Sequence, residues 1–141
     1  MTDNSATYVL DDQVGYLLRL ASQRHAAIFQ AHTFEGLTAT QFAAMVRISE
    51  QGKCSQNRLG RLAAMDVATI KGVVDRLRDK GLTLSEPDPD DKRRTLISLS
   101  PAGEALLARM LEAGHTITAD TLAPLSASEQ RSLVRLLRKI T

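Results

Sequence analysis

The amino-acid sequence predicts a mainly α-helical chain that carries one small β-hairpin. Three observations lead there. Gly and Pro are scarce, with 8 and 4 among 141 residues, against a usual combined share of about 12%, so the chain has few places to turn. Apolar residues recur at steps of three and four through most of its length, the spacing of amphipathic helices. The period changes to alternation in one place, on either side of the run PDPDDKRR at 87–94.

Residues 1–10 read as a short arm without the basic start and apolar core of a signal peptide. Asp11 or Asp12 is placed to cap a first helix to about His32, with Val14, Leu17, Leu18, Ala21, His25, Ile28 and Phe29 on one stripe. Thr38 and Gln41 match a capping box opening a second helix, which turns Phe42, Met45, Val46 and Ser49 inward and ends at Gly52. Ser55 opens a short third helix. Asp66 caps a fourth that runs to Lys80, with Val67, Ile70, Val74 and Leu77 inward. Two short helices joined by about three residues have helix-turn-helix proportions. Leu82, Leu84 and Glu86, then Thr95, Ile97 and Leu99, alternate as the arms of a hairpin. Ser100-Pro101 starts a fifth helix to about residue 122, with Leu106, Leu107, Met110, Leu111, Gly114 and Ile117 on one side. Pro124 breaks it, and Ser126 with Glu129 opens a sixth lined by Leu133, Leu136, Leu137 and Ile140.

A helix-turn-helix followed by a hairpin is a winged helix, and its shape suits duplex DNA. A helix fits the major groove, and a cationic hairpin tip reaches the neighbouring backbone or minor groove. The outward residues of the fourth helix include Thr69, Lys71, Gly72 and Arg76. Gly72 costs about 1 kcal/mol relative to Ala in a helix interior. Close approach to another surface is one reason to bear that cost, and tight packing on the second helix is another. In the wing, Asp91 is placed to pair with Arg93 and shape the tip, leaving Arg94 or Lys92 for phosphate. The alternative is a solvated loop of mixed charge. Ser55 and Gln56, at the start of the third helix, have the chemistry of phosphate contacts or of a plain cap.

Other classes fare worse. No phosphate loop, zinc-protease motif, nucleophile elbow or paired-carboxylate cleft is present, so an enzyme is not expected. Single-strand binding gains from stacking aromatics, yet residues 43–141 contain none. No run approaches the 18 apolar residues or so of a membrane span. His25, His32 and His115 lack ligand spacing, and neither a metal nor a cofactor is expected. The single cysteine, Cys54, fits a reducing cytoplasm and excludes an internal disulfide framework. It lies between the second and third helices as the one candidate redox group. Helices one, five and six offer more apolar face than a winged-helix core can cover, which points to a second subunit. The net charge of +2 identifies no partner by itself.

Several runs together resemble the MarR family of winged-helix transcriptional regulators. They are Leu37-Thr38-x-x-Gln41-Phe42, Ser55-Gln56-x-x-Leu59, Val74-Asp75-Arg76-Leu77-x-x-Lys80-Gly81-Leu82, Pro87 to Arg93, and Leu99-Ser100-Pro101-Ala102-Gly103. Ser85, Gly60, Ala64 and Lys92 depart from residues common in that family. The resemblance implies one domain over 1–141, with dimerisation helices at 11–33 and 101–140 and a DNA-binding lobe at 38–99. It implies a homodimer on palindromic double-stranded operator DNA, released by a small ligand.

The first helix is also similar to that of MarR-type repressors of aromatic and N-heteroaromatic acid catabolism. In that subgroup an arginine and a histidine six residues later meet the ligand, and Arg19 and His25 have that spacing. Arginine suits a carboxylate because its fork binds bidentately. Tyr16, Phe42, Met45 and Met110 are candidates for the apolar wall. A surface ion pair for Arg19 and a core role for His25 are the plainer alternatives. A regulator that responds to oxidation at Cys54, or to no small ligand, is the competing reading.

Overall fold

The computed structural model describes residues 7–141, so the first part of the expected arm lies outside the described residues. Six helices and three short strands follow in order: α1 Val14–His32, α2 Ala39–Gln51, β1 Cys54–Ser55, α3 Gln56–Leu62, α4 Val67–Asp79, β2 Thr83–Pro87, β3 Thr95–Leu99, α5 Pro101–Leu122 and α6 Ala127–Lys139. The fold is mainly helical with a small antiparallel wing, as the sequence predicts. Among the described residues no helix is long and apolar enough to cross a membrane.

Local capping chemistry sets most boundaries. Thr38 and Gln41 form the expected capping box at α2, and Ser126 and Glu129 form one at α6. Ser55 accepts from the Arg58 amide at the start of α3, and Asp66 accepts from the Thr69 amide at the start of α4. The first helix begins later than expected. Asp11 and Asp12 fall inside a separate 3-10 turn, Leu10–Asp12, and not at the N-cap of α1.

Two compact units divide the described chain, and α5 contributes to both. The larger is Thr33–His115. Its core includes Leu37, Met45, Ile48, Leu59, Ile70, Leu77 and Met110, all fully buried. The sheet order is β1-β3-β2, with Cys54 opposite Ile97 and Ser85 opposite Ile97 on the other side. Strand β1 is not anticipated by the sequence: between the second and third helices, Cys54 and Ser55 pair with β3. The expected inward faces also shift. On α2 the buried residues are Gln41, Ala44, Met45 and Ile48, while Val46 is half-buried and Ser49 exposed. On α4 Val73 replaces Val67, which is 72% exposed in the first turn. On β2, an edge strand, Leu84 faces solvent and only Thr83 is buried; Leu111 of α5 likewise faces out.

The Leu-Ser-Pro-x-Gly motif locks the wing to α5. Ser100 Oγ donates to the Gly81 carbonyl at 2.7 Å and accepts from the Gly103 amide at 3.0 Å. The Ser100 amide donates to the Leu82 carbonyl at 3.0 Å. A β-carbon on Gly103 would stand 2.1 Å from that same carbonyl oxygen, so only glycine fits. Gly60 has a related role at the helix turn, where a β-carbon would meet Met65 O at 3.2 Å and Ile70 Cγ2 at 3.1 Å. Ala64 takes the left-handed conformation in that turn, with φ 55°, at a cost of about 1 kcal/mol.

The smaller unit comprises the described residues up to His32 together with Thr116–Thr141. Within it Arg24 donates to the carbonyls of Thr121 at 2.6 Å and Asp120 at 2.9 Å, matching positive charge to the negative end of α5. Of the predicted apolar stripe of α1 only Phe29 is buried. Val14, Leu17 and Leu18 on α1, Leu133 and Leu136 on α6, and Ile140 at its C-cap remain exposed.

Candidate nucleic-acid interface

The interface candidates lie in the larger unit, on α3, α4 and the wing. Helix α4 separates two faces. Ile70, Val73, Val74 and Leu77 are buried, whereas Thr69, Lys71 and Arg76 are exposed. Lys71 Nζ reaches Asp75 Oδ2 at 2.9 Å, and Arg78 Nη2 reaches Asp75 Oδ1 at 3.3 Å. The Lys71 hydrogen bond, aided by nearby cations, holds the Asp75 carboxyl below its ordinary range. Gly72 does not pack on α2. Among the described residues, the only side chain a β-carbon there would meet is that of Arg76.

The wing tip is built by its own aspartates. Asp88 accepts from the Asp90 amide at 2.9 Å, and the Asp88 amide donates to the Arg94 carbonyl at 2.9 Å. Asp91 Oδ1 accepts from the Arg93 amide at 3.1 Å and from its Nε at 3.4 Å. Asp91 Oδ2 also lies 3.8 Å from Arg94 Nη2. The expected Asp91–Arg93 pair is therefore present, and Arg94 shares the same carboxylate rather than standing clear of it. The Arg93 side chain is 93% exposed, and Lys92 is exposed beside it. Lys53, just ahead of β1, forms an ion pair with Glu86 of β2 at 2.5 Å.

A cleft of about 420 Å³ brings four predicted residues together: Ser55 and Gln56, from the start of α3, and Arg93 and Arg94, from the wing, all line it. Asn57, Arg61 and Thr95 complete its lining and were not anticipated. Asn57 and Arg61 lie four residues apart on α3, so helical spacing was the available signal. The cleft is lined without Thr69, Lys71, Gly72 or Arg76, which stay on the outer face of α4.

The six ligand candidates divide between the units. In the smaller one, the Arg19 guanidinium lies 5.4 Å from the Tyr16 ring centroid, a cation–π distance. His25 Nδ1 is 2.8 Å from Thr121 Oγ1. His25 lines an apolar groove of about 430 Å³ with Leu18, Leu122 and Leu137. In the larger unit, Met45 and Met110 are fully buried core side chains, and Phe42 is half-buried near Gly114. Cys54 is 2% exposed, and burial pushes its thiol up, with Arg58 opposing. A buried, protonated thiol is a poor nucleophile, so the geometry does not favour an oxidation switch.

A helix-turn-helix with cations on the outer face of its second helix, followed by an arginine-tipped hairpin, defines a DNA-binding winged-helix protein. Comparison with known proteins agrees. Residues 37–95 match the MarR family model. The HTH-type transcriptional repressor NicR of Pseudomonas putida is 38% identical over 97% of this chain and 87% of its own. A probable transcriptional regulator from Pseudomonas aeruginosa has a solved structure with TM-score 0.92 and 55% identity, covering 94% of this chain and 100% of that one. The solved structure of Bordetella bronchiseptica BpsR, whose DNA binding is regulated by 6-hydroxynicotinic acid, has TM-score 0.89 and 40% identity, covering 94% and 96% of the two chains. The chain belongs to the MarR family. It is a MarR-type transcriptional regulator, and its relatives are regulators rather than enzymes.

Proposed function

We propose that the protein is a homodimeric cytoplasmic repressor that binds a palindromic double-stranded operator and releases it when a small aromatic or N-heteroaromatic carboxylic acid binds. The observation that carries the DNA half is the cleft that Ser55, Gln56, Arg93 and Arg94 line together. Phosphate contacts of this type position a protein on the duplex, while Thr69, Lys71 and Arg76 on α4 are the candidates for base edges. The helices at 11–33 and 101–140 are the dimerisation helices, and the smaller unit carries most of their exposed apolar residues. Its exposed Leu17, Leu18, Leu133, Leu136 and Ile140 form more apolar surface than an isolated helix pair keeps in water.

The ligand half is supported by the likeness to NicR and to BpsR, which responds to 6-hydroxynicotinic acid. It is supported chemically by Arg19, a guanidinium held at an aromatic ring and exposed for a bidentate carboxylate. His25, in the apolar groove it shares with Leu18 and Leu137, supplies the ring contact, and Tyr16 lies beside Arg19 on the same helix, whereas Met45 and Met110 are core side chains of the larger unit. The test is fluorescence anisotropy on a duplex selected from random sequence by the purified protein. Salt-sensitive binding that a panel of hydroxybenzoates, hydroxycinnamates and hydroxynicotinates reverses supports the reading.

A further inference from the structure

Val67 opens α4 with 72% of its surface exposed, more than any other large apolar residue of the larger unit. Ala68 and Thr69, the next two residues of the helix, are exposed as well. A β-branched residue is a weaker helix former than alanine, and the chain gives this one little cover. Water around its two methyl groups carries a cost that burial against another molecule would remove.

The surroundings narrow what that molecule presents. Asp66 caps the helix directly ahead of Val67, its Oδ1 accepting from the Thr69 amide at 2.7 Å. The cap sets a carboxylate where the helix start would otherwise draw a phosphate. The cations of α4 lie further along it. Lys71 Nζ is tied to Asp75 at 2.9 Å, and Arg76 lies back over Gly72. The leading residues Val67 and Ala68 thus carry methyl groups and no hydrogen-bonding side chain. Bonds from Cα to Cβ tilt toward the N-terminus of a helix, so these methyls stand over its start. The leading residues of a recognition helix are the ones that meet base edges in the major groove. The apolar group displayed there is the C5 methyl of thymine. The same exposed surface continues into Thr69, Lys71 and Arg76, the base-edge candidates above.

We infer that Val67 reads the C5 methyl of one thymine in each half of the operator, with Ala68 beside it. This inference rests on the operator binding proposed above. It makes Val67 a specificity residue that acts by apolar contact, while phosphate contacts elsewhere hold the helix in register. An A·T pair should therefore be fixed in each half-site where the leading end of α4 enters the groove.

The test uses the full chain and a duplex that it selects from random sequence, read by fluorescence anisotropy. Each thymine of one half-site is replaced singly by deoxyuridine, which keeps the base pair and removes only the methyl. One such replacement should weaken wild-type binding about fourfold, the worth of one buried carbon group. Val67→Ala should bind the thymine duplex about fourfold more weakly and tell thymine from uracil at that position by less than about twofold. Val67→Ile keeps the apolar reach and should keep the discrimination. The position is exposed, so both variants should match wild type by circular dichroism. Equal discrimination by wild type and Val67→Ala overturns the inference, as does a selected half-site in which no thymine methyl affects binding. A wild-type chain that binds selected and random duplexes equally refutes the operator reading itself, a distinct failure.

Discussion

The guanidinium of Arg76 lies back along α4, its Nη1 3.0 Å from where a β-carbon on Gly72 would stand. Glycine thus leaves a shallow bed for the arginine on the helix's outer side. Gly72→Ala should raise helix stability by about 1 kcal/mol and the melting temperature by roughly 3–5 °C. It should also lift Arg76 and weaken operator binding by about tenfold, the order of one lost contact. A more stable variant with unchanged operator affinity would remove the argument for Gly72.

In the wing, simple electrostatics and the observed geometry predict opposite outcomes. Removing the negative charge of Asp91 should strengthen attraction to DNA if charge alone matters. Asp91 instead holds Arg93 through its amide and its Nε. Asp91→Ala should therefore weaken operator binding several-fold despite raising the net charge. Arg93→Ala should weaken it further and reduce the slope of log K against log[salt] by about one. Binding by Arg93→Ala equal to wild type would dismiss the wing assignment.

Gly103 stands where a β-carbon would strike the Leu82 carbonyl oxygen at 2.1 Å, a backbone atom fixed by the Ser100 amide. Gly103→Ala should cost about 3 kcal/mol in urea unfolding. A loss below about 0.5 kcal/mol would mean that wing and α5 separate freely.

Acid should destabilise the fold through three carboxylates. The Thr69 amide holds Asp66 below its ordinary 3.8, the Lys71 hydrogen bond does so for Asp75, and the Ser126 amide holds Glu129 below 4.5. A carboxyl depressed on folding adds stability that is present above its ordinary value and is lost as pH falls through the folded one. Their contribution should thus be constant above about pH 5.5 and should fall below about pH 4. Asp66→Asn keeps a capping oxygen but does not titrate. Between pH 7 and pH 3 it should lose less stability in urea than wild type. Equal losses would show that the α4 cap is not the titrating element.

Much of this fold is legible in the sequence because its signals are local. Thr38 with Gln41, Ser126 with Glu129, Ser55 and Asp66 announce helix starts within three residues. Strand β1 is not legible, since Cys54 and Ser55 are too short a run to show a period. The face of α4 was misjudged at Val67 because a first-turn residue has the right spacing but too little protein over it. At the site, Arg93 and Asp91 are readable two residues apart. The folding of Arg76 over Gly72 depends on a rotamer, and Arg61 enters the cleft only through the placement of α3. Arg19 and His25 stand out through their spacing and the family resemblance, whereas the His25–Thr121 contact joins residues 96 positions apart.

Ligand-controlled release of DNA through Arg19 is the step on which the proposed regulation turns. Its most direct measurement is anisotropy of a labelled operator duplex with wild type and Arg19→Ala, titrated with 6-hydroxynicotinate and related aromatic acids. The two proteins should bind operator equally, at least one acid should release wild type, and the response of Arg19→Ala should be lost or shifted by more than about tenfold in acid concentration. Unchanged release from Arg19→Ala, or no release of wild type by any aromatic acid, would contradict it.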